Sequence, residues 1–180
     1  MTLPNVITLV RLALVPVMGY LLLSAEYSVA LVVFLAAAVS DLLDGLIARR
    51  FGLTSSFGAT LDPIADKLSM FVATVLLAWQ GLVPLWLAIA IVLRDVVIVG
   101  GVIAYRSMIG ALEMKPTYLS KVNTFIEFTV LLVVMATAAA WIDAGAALPA
   151  VFIVVFLTVA ASGTQYVWLG VRMAMQARRR

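Results

Sequence analysis

The sequence predicts an all-α integral membrane protein of six transmembrane helices with both termini in the cytoplasm, and three observations carry that prediction. The 180-residue chain is 65% hydrophobic with a mean hydropathy of +1.17, against roughly 45–50% apolar residues in a soluble domain. It divides into six apolar runs, each close to the about 20 residues that span a bilayer. Lys and Arg at or beside the connections fall on alternate ones only.

The runs are 6–24, 29–50, 58–80, 83–105, 119–141 and 147–171, and turn or polar residues separate them: Glu26, Gly52 to Ser56, Gln80-Gly81, Gly110 to Pro116 and Asp143 to Gly145. The first run has no basic segment before it and Arg11 interrupts it, so it reads as a retained span and not as a cleaved signal. Arg49 and Arg50 lie at the connection of the second and third runs, Arg106, Lys115 and Lys121 at that of the fourth and fifth, and Arg172 with "ARRR" in the tail. The connections around Glu26, Gly81 and Asp143 hold no Lys or Arg. Basic connections stay inside, which sets the orientation. With no internal repeat or linker in view, residues 1–180 read as a single membrane domain. Trp79, Trp86, Trp141 and Trp168 fall toward span ends, as interfacial anchors do.

The chain has no Cys and no His. Disulfides, thiol nucleophiles, histidine bases and Ser-His-Asp triads are therefore out of reach. Against that background, "SDLLDGLIARRFGLTSSFGATLDPIADK" places Asp41, Asp44, Asp62 and Asp66 near the cytoplasmic tip of the hairpin made by the second and third spans. Asp41, Asp44, Gly45 and Ala48 follow i, i+3, i+4, i+7 and share one helix face; Gly58, Asp62 and Asp66 follow i, i+4, i+8 and share another. Gly45, Ala48 and Gly58 are small enough to let backbones and a ligand come close.

A carboxylate within a membrane helix costs about 2.5–3.5 kcal/mol on the mild insertion scale. Nearby cations for salt bridges are limited to Arg49, Arg50 and Lys67. Divalent cations answer the cost better, and hard oxygen ligands without His or Cys select Mg²⁺, Mn²⁺ or Ca²⁺. Carboxylate-held cations are suited to displacement at phosphorus, so the residues alone point to metal-dependent phosphotransfer at the cytoplasmic face of a membrane. A cation channel would need polar residues through both leaflets, and "ALVVFLAAAV" and "LSMFVATVLLAW" offer none. A noncatalytic assembly protein is the remaining alternative.

Read as a pattern, the stretch is D-x2-D-G-x2-A-R-x8-G-x3-D-x3-D, filled by Asp41, Asp44, Gly45, Ala48, Arg49, Gly58, Asp62 and Asp66. It resembles the signature of the CDP-alcohol phosphatidyltransferases at every fixed position. The resemblance implies a homodimer with a cytoplasm-facing cavity in each subunit and two divalent cations, Mg²⁺ or Mn²⁺. It implies Asp41, Asp44, Asp62 and Asp66 as metal ligands, Asp66 also as general base, and Asp41, Gly45, Ala48, Arg49 and Gly58 around the cytidine diphosphate of the donor. The opening "LPNVITLVRLALVPVMGYLL" is similar to the start of family members; there Asn5, Thr8 and Arg11 share a face, with Arg11 able to reach a donor phosphate.

"LRDVVIVGGVIAYR", "MKPTYLSKVNTFIEF" and "VSDLLDGLIARR" are similar to stretches of the mitochondrial-type cardiolipin synthases, a branch of that family. That branch implies CDP-diacylglycerol and phosphatidylglycerol as lipid substrates, with CMP released. The alternative is glycerol 3-phosphate as acceptor. Arg94, Lys115 and Lys121 would meet the anionic acceptor. Arg94 lies deep in its span, and Asp95 is not expected to satisfy it, because neighbouring helix residues point apart. Glu127 is a candidate partner for Lys115 or Lys121. No nucleic-acid partner is expected, and the bacterial inner membrane is expected over the mitochondrial one.

Overall fold

The structure, a computed structural model, describes residues 3–51, 56–109 and 117–177, with side chains described over 9–40, 67–101 and 117–172 and at Met175. The described residues form six α-helices and no strand: α1 (Leu3–Leu23), α2 (Tyr27–Phe51), α3 (Ser56–Trp79), α4 (Leu85–Ile109), α5 (Tyr118–Ala138) and α6 (Leu148–Ala177). Each overlays one predicted run, and α4 and α6 continue beyond it. Their Val- and Ile-rich sequences are indifferent helix formers in water. In lipid, however, a helix satisfies every backbone polar group within itself.

The residues divide into two compact units, Met1–Val83 with Leu131–Ala144 and Pro84–Val130 with Gly145–Arg180. In the first, α1 packs against α2 and α3. Arg11, Val15, Met18 and Leu22 form its buried stripe at helical spacing, and Leu31, Phe34 and Ala37 of α2 and Ala73 and Leu77 of α3 are buried in the same unit. Gly19 brings α3 close: a methyl group there would sit 3.5 Å from Val72 Cγ1 and 3.6 Å from Leu76 Cδ1.

Three helices of this unit end alike. After α1, Ala25 (φ 57°) takes a left-handed conformation and the Glu26 N–H donates to the Leu21 carbonyl at 2.9 Å. After α3, Gly81 (φ 75°) does the same, with Leu82 N–H donating to Leu77; after α5, Ala140 (φ 58°) does so, with Trp141 N–H donating to Ala136. This is the Schellman stop, in which a left-handed residue turns the chain and caps free carbonyls. Side chains then fasten these ends. Gln80 Nε2 donates to the Leu22 carbonyl, and Trp141 Nε1 donates to Ser28 Oγ at 3.1 Å.

In the second unit α4 packs against α6. Leu87 and Ala88 are buried there with Phe152, Val155 and Val159, and the Trp86 and Phe156 rings meet edge to face at 5.5 Å. Thr117 caps α5, its Oγ1 accepting from Ser120 N–H at 3.2 Å.

The apolar surface is inverted relative to a soluble protein. Val29, Val32, Leu35 and Val39 on α2, Ile89, Leu93 and Val96 on α4, and Ile153, Val154 and Leu157 on α6 are all exposed. Helices apolar on every side belong in a membrane or a large core. By length and composition, Tyr118–Ala138 and Leu148–Arg172 are each sufficient to cross a bilayer among the described residues.

Candidate functional site

The acidic motif falls on uninterrupted helix. Asp41, Asp44, Gly45, Ala48 and Arg49 lie on α2, and Gly58, Asp62 and Asp66 lie on α3. Helical backbone over both stretches is the condition for the two one-face patterns. Among the described residues, α2 and α3 each pack against α1 in the first unit and touch one another only slightly. The side chains at these positions lie outside the described residues, as do those of Asn5 and Thr8 on α1, and Lys115 lies outside them altogether. No acidic cluster able to hold a metal occurs among the described residues. The motif's donors are nonetheless all carboxylate oxygens in a chain without His or Cys, which suits a hard divalent cation.

Arg11 is described, and only 2% of it is exposed. With Ser69 it borders a small, partly open pocket of about 10 Å³ otherwise lined by apolar residues, among them Leu14, Val15, Met18 and Phe34.

The second unit carries a buried polar cluster centred on Arg94. Its Nη1 donates to Asp95 Oδ1 at 2.8 Å. Nη2 donates to Ser120 Oγ at 2.7 Å and to Ser162 Oγ at 3.0 Å. The expectation that Asp95 would not serve Arg94 is therefore corrected. Divergence of adjacent helix positions applies to the first side-chain atoms, whereas the long arginine stem swings its fork back to the neighbouring carboxylate. Two hydroxyls from α5 and α6 share the work, so one guanidinium ties three helices. A methyl group at Gly163 would lie 3.6 Å from Arg94 Cγ, so the stem rests directly on α6.

One turn along α5 from Ser120, Asn123 is fully buried and its Nδ2 donates to the buried Glu127 at 2.6 Å. Lys121 is exposed. At the start of α5 the Thr117 N–H donates to the Tyr166 hydroxyl at 3.3 Å. The pairings 117 with 166 and 120 with 162, through Arg94, show α5 and α6 running antiparallel here.

Ser120, Asn123 and Ser162 escaped the sequence reading. A signal existed: Ser120, Asn123 and Glu127 repeat at i, i+3, i+7 on an apolar helix, and Ser162 and Gln165 at i, i+3 on another. Isolated hydroxyls and amides do not announce a partner 26 or 68 residues away.

Comparison with known proteins places these features in context. The sequence profile described as CDP-alcohol phosphatidyltransferase matches residues 1–175. A protein of Streptomyces coelicolor named cardiolipin synthase (CMP-forming) is 35% identical over 187 aligned positions, covering 99% of this chain and 84% of that protein. The rat cardiolipin synthase (CMP-forming) is 37% identical over 142 positions, covering 70% of this chain and 47% of that protein. A Schizosaccharomyces pombe protein, a fusion of cardiolipin synthase (CMP-forming) and mitochondrial hydrolase, is 37% identical, covering 92% of this chain and 30% of its own length. The chain thus spans about half or less of the animal and yeast relatives it matches.

Proposed function

Because the chain belongs to the CDP-alcohol phosphatidyltransferase family, we propose that it transfers the phosphatidyl group of CDP-diacylglycerol to phosphatidylglycerol, giving cardiolipin and CMP. The observation that carries the reading is the continuous helix beneath all eight motif positions of α2 and α3. The choice of acceptor draws its support from the Streptomyces relative, which parallels nearly the whole chain.

Members of this family are generally dependent on divalent metal, and Asp41, Asp44, Asp62 and Asp66 would hold two such ions, Mg²⁺ or Mn²⁺. When bound, such ions neutralise phosphate oxygens and stabilise charge on the leaving group. Asp66 takes the proton of the acceptor hydroxyl as general base. The freed oxygen bonds to the phosphorus that bears diacylglycerol, and the bond from that phosphorus to CMP breaks, CMP leaving with the bridging oxygen. Gly45, Ala48, Arg49 and Gly58 hold the cytidine diphosphate, with Asn5, Thr8 and Arg11 on the donor's phosphates. Arg94, Lys115 and Lys121 meet the acceptor's phosphodiester. Arg94 spends its two terminal nitrogens on protein partners but keeps an unpaired Nε–H for an anion.

The reading includes a single membrane domain of six spans, a cytoplasmic active site, both termini in the cytoplasm, a homodimer, and residence in the bacterial inner membrane. The test is an assay of purified protein with labelled CDP-diacylglycerol and either phosphatidylglycerol or glycerol 3-phosphate. Cardiolipin from the first is the expected product. Product from glycerol 3-phosphate alone would replace the acceptor and leave the family chemistry intact.

A further inference from the structure

Three described side-chain atoms of the second unit are buried without a hydrogen-bond partner: Arg94 Nε, Asn123 Oδ1 and Gln165 Oε1. Buried polar atoms are rarely left so. Asn123 is the most constrained of the three residues. It is 0% exposed, and its amide nitrogen donates to Glu127 Oε1 at 2.6 Å. Glu127 Oε1 accepts this bond, so the NH₂ of the amide faces Glu127 and its carbonyl oxygen is left outside the pair. That oxygen requires an N–H or O–H from elsewhere.

The surroundings narrow the donor. Ser120, about one helical turn (~5 Å) before Asn123 on α5, accepts from Arg94, and Ser162 holds the same nitrogen from α6. The cluster thus offers an unpaired cationic N–H on Arg94, which is bonded to Ser120, and an unpaired carbonyl on Asn123, the next residue along the same face of α5. The complement is a molecule with an anionic oxygen and a hydroxyl separated by a few bonds, which describes a phosphoglycerol head group. An amide oxygen is far too weak a base to deprotonate an alcohol, so the hydroxyl it binds is not the one that attacks phosphorus.

We infer that Asn123, aimed by Glu127, is a specificity-determining residue whose carbonyl accepts a hydrogen bond from the acceptor's unreacting secondary hydroxyl. The inference rests on the phosphatidyltransferase reading above and adds to it the recognition of a vicinal diol. Glu127 is a positioning residue, acting on the acceptor through the amide.

The test compares two acceptors in mixed vesicles with CDP-diacylglycerol: phosphatidylglycerol and phosphatidyl-1,3-propanediol, which keeps the phosphodiester and a primary hydroxyl but lacks the secondary one. Wild type should favour phosphatidylglycerol by about 10- to 100-fold in kcat/KM, because losing one substrate hydroxyl strands a buried acceptor. Asn123→Leu should bring the ratio close to one, with the KM for CDP-diacylglycerol unchanged. Asn123→Ser keeps a hydroxyl for Glu127 yet withdraws the carbonyl, and gives the same readout should the leucine variant not fold. Glu127→Gln retains an accepting oxygen and should preserve the ratio. A purely structural role, such as an amide holding a buried water, would leave the ratio unmoved in every variant and overturn the assignment. Equal use of both acceptors by wild type would do the same. Absence of any product from CDP-diacylglycerol with either phospholipid would remove the phosphatidylglycerol reading, and this inference with it.

Discussion

The two compact units treat charge in opposite ways. The first has a described interior that is mostly aliphatic, with Arg11, Ser69 and Thr74 as its buried polar residues, and it carries four aspartates on the α2 and α3 stretches of the motif. The second buries Arg94, Asn123, Glu127 and Ser162 among its helices and neutralises its arginine from within, through Asp95 and two serines. On the proposed reading, the carboxylate-rich motif, with few cations beside it in sequence, is neutralised by bound metal. An arginine bonded to its own helices is part of the packing even where one N–H is left for a ligand. Substitutions in the first motif should therefore report on turnover, and substitutions around Arg94 on stability as well as on acceptor use.

The sharpest break of that contrast is Asp66→Asn. It should lower kcat by about 10²–10⁴-fold, the usual worth of a positioned general base, with helix content and melting temperature in detergent unchanged. Chelation should likewise stop wild-type turnover, and Mg²⁺ or Mn²⁺ should restore it. Wild-type rates in Asp66→Asn would remove the base.

Next in size is Arg94→Ala, which removes the buried guanidinium and its three hydrogen bonds from the junction of α4, α5 and α6. The expected loss is about 2–4 kcal/mol, set by hydrogen bonds of a charged group and lost packing, with the pair to half-buried Asp95 discounted for solvent. It is read as a lower melting temperature of the purified protein. Ser162→Ala should cost about 1.5–3 kcal/mol, since it removes one hydrogen bond to a charged group. An unchanged melting temperature in both would show that the cluster is not holding the helices.

The smallest effect lies at the helix stops. Ala140 adopts φ 58° after α5, a conformation that disfavours any side chain. Ala140→Gly should stabilise by about 1 kcal/mol, and Gly81→Ala at the corresponding stop after α3 should cost a similar amount. No gain in Ala140→Gly would mean the turn is held by its tertiary contacts.

The six helices were legible because an apolar run of bilayer length, closed by polar or turn residues, leaves few alternatives. Their ends were less so. The run 147–171 stops where hydropathy falls, yet α6 continues to Ala177, because the backbone ladder does not need apolar side chains to propagate. Which face turns inward was also hidden. Val15 is buried and Val17 exposed on α1, and Phe152 is buried and Ile153 exposed on α6. When every face is apolar, periodicity carries no contrast to read.

The candidate site divides along the same line. Carboxylates are costly in lipid, so aspartates at helical spacing are informative from residue order alone, as is the absence of His and Cys. The pairing of Arg94 with its own neighbour contradicts a rule based on side-chain directions, and its bonds to Ser120 and Ser162 become visible only once α4, α5 and α6 are brought together.

By itself, then, the sequence determined the solvent, the helices and the class of chemistry, because burial cost and helical period act locally along the chain. The tertiary structure alone decided that Arg94 is internally paired, that Glu127 orients Asn123, and that one amide oxygen is left waiting for a donor. Those outcomes depend on side chains from separate helices meeting at hydrogen-bond distance, and no local property of the chain encodes that distance.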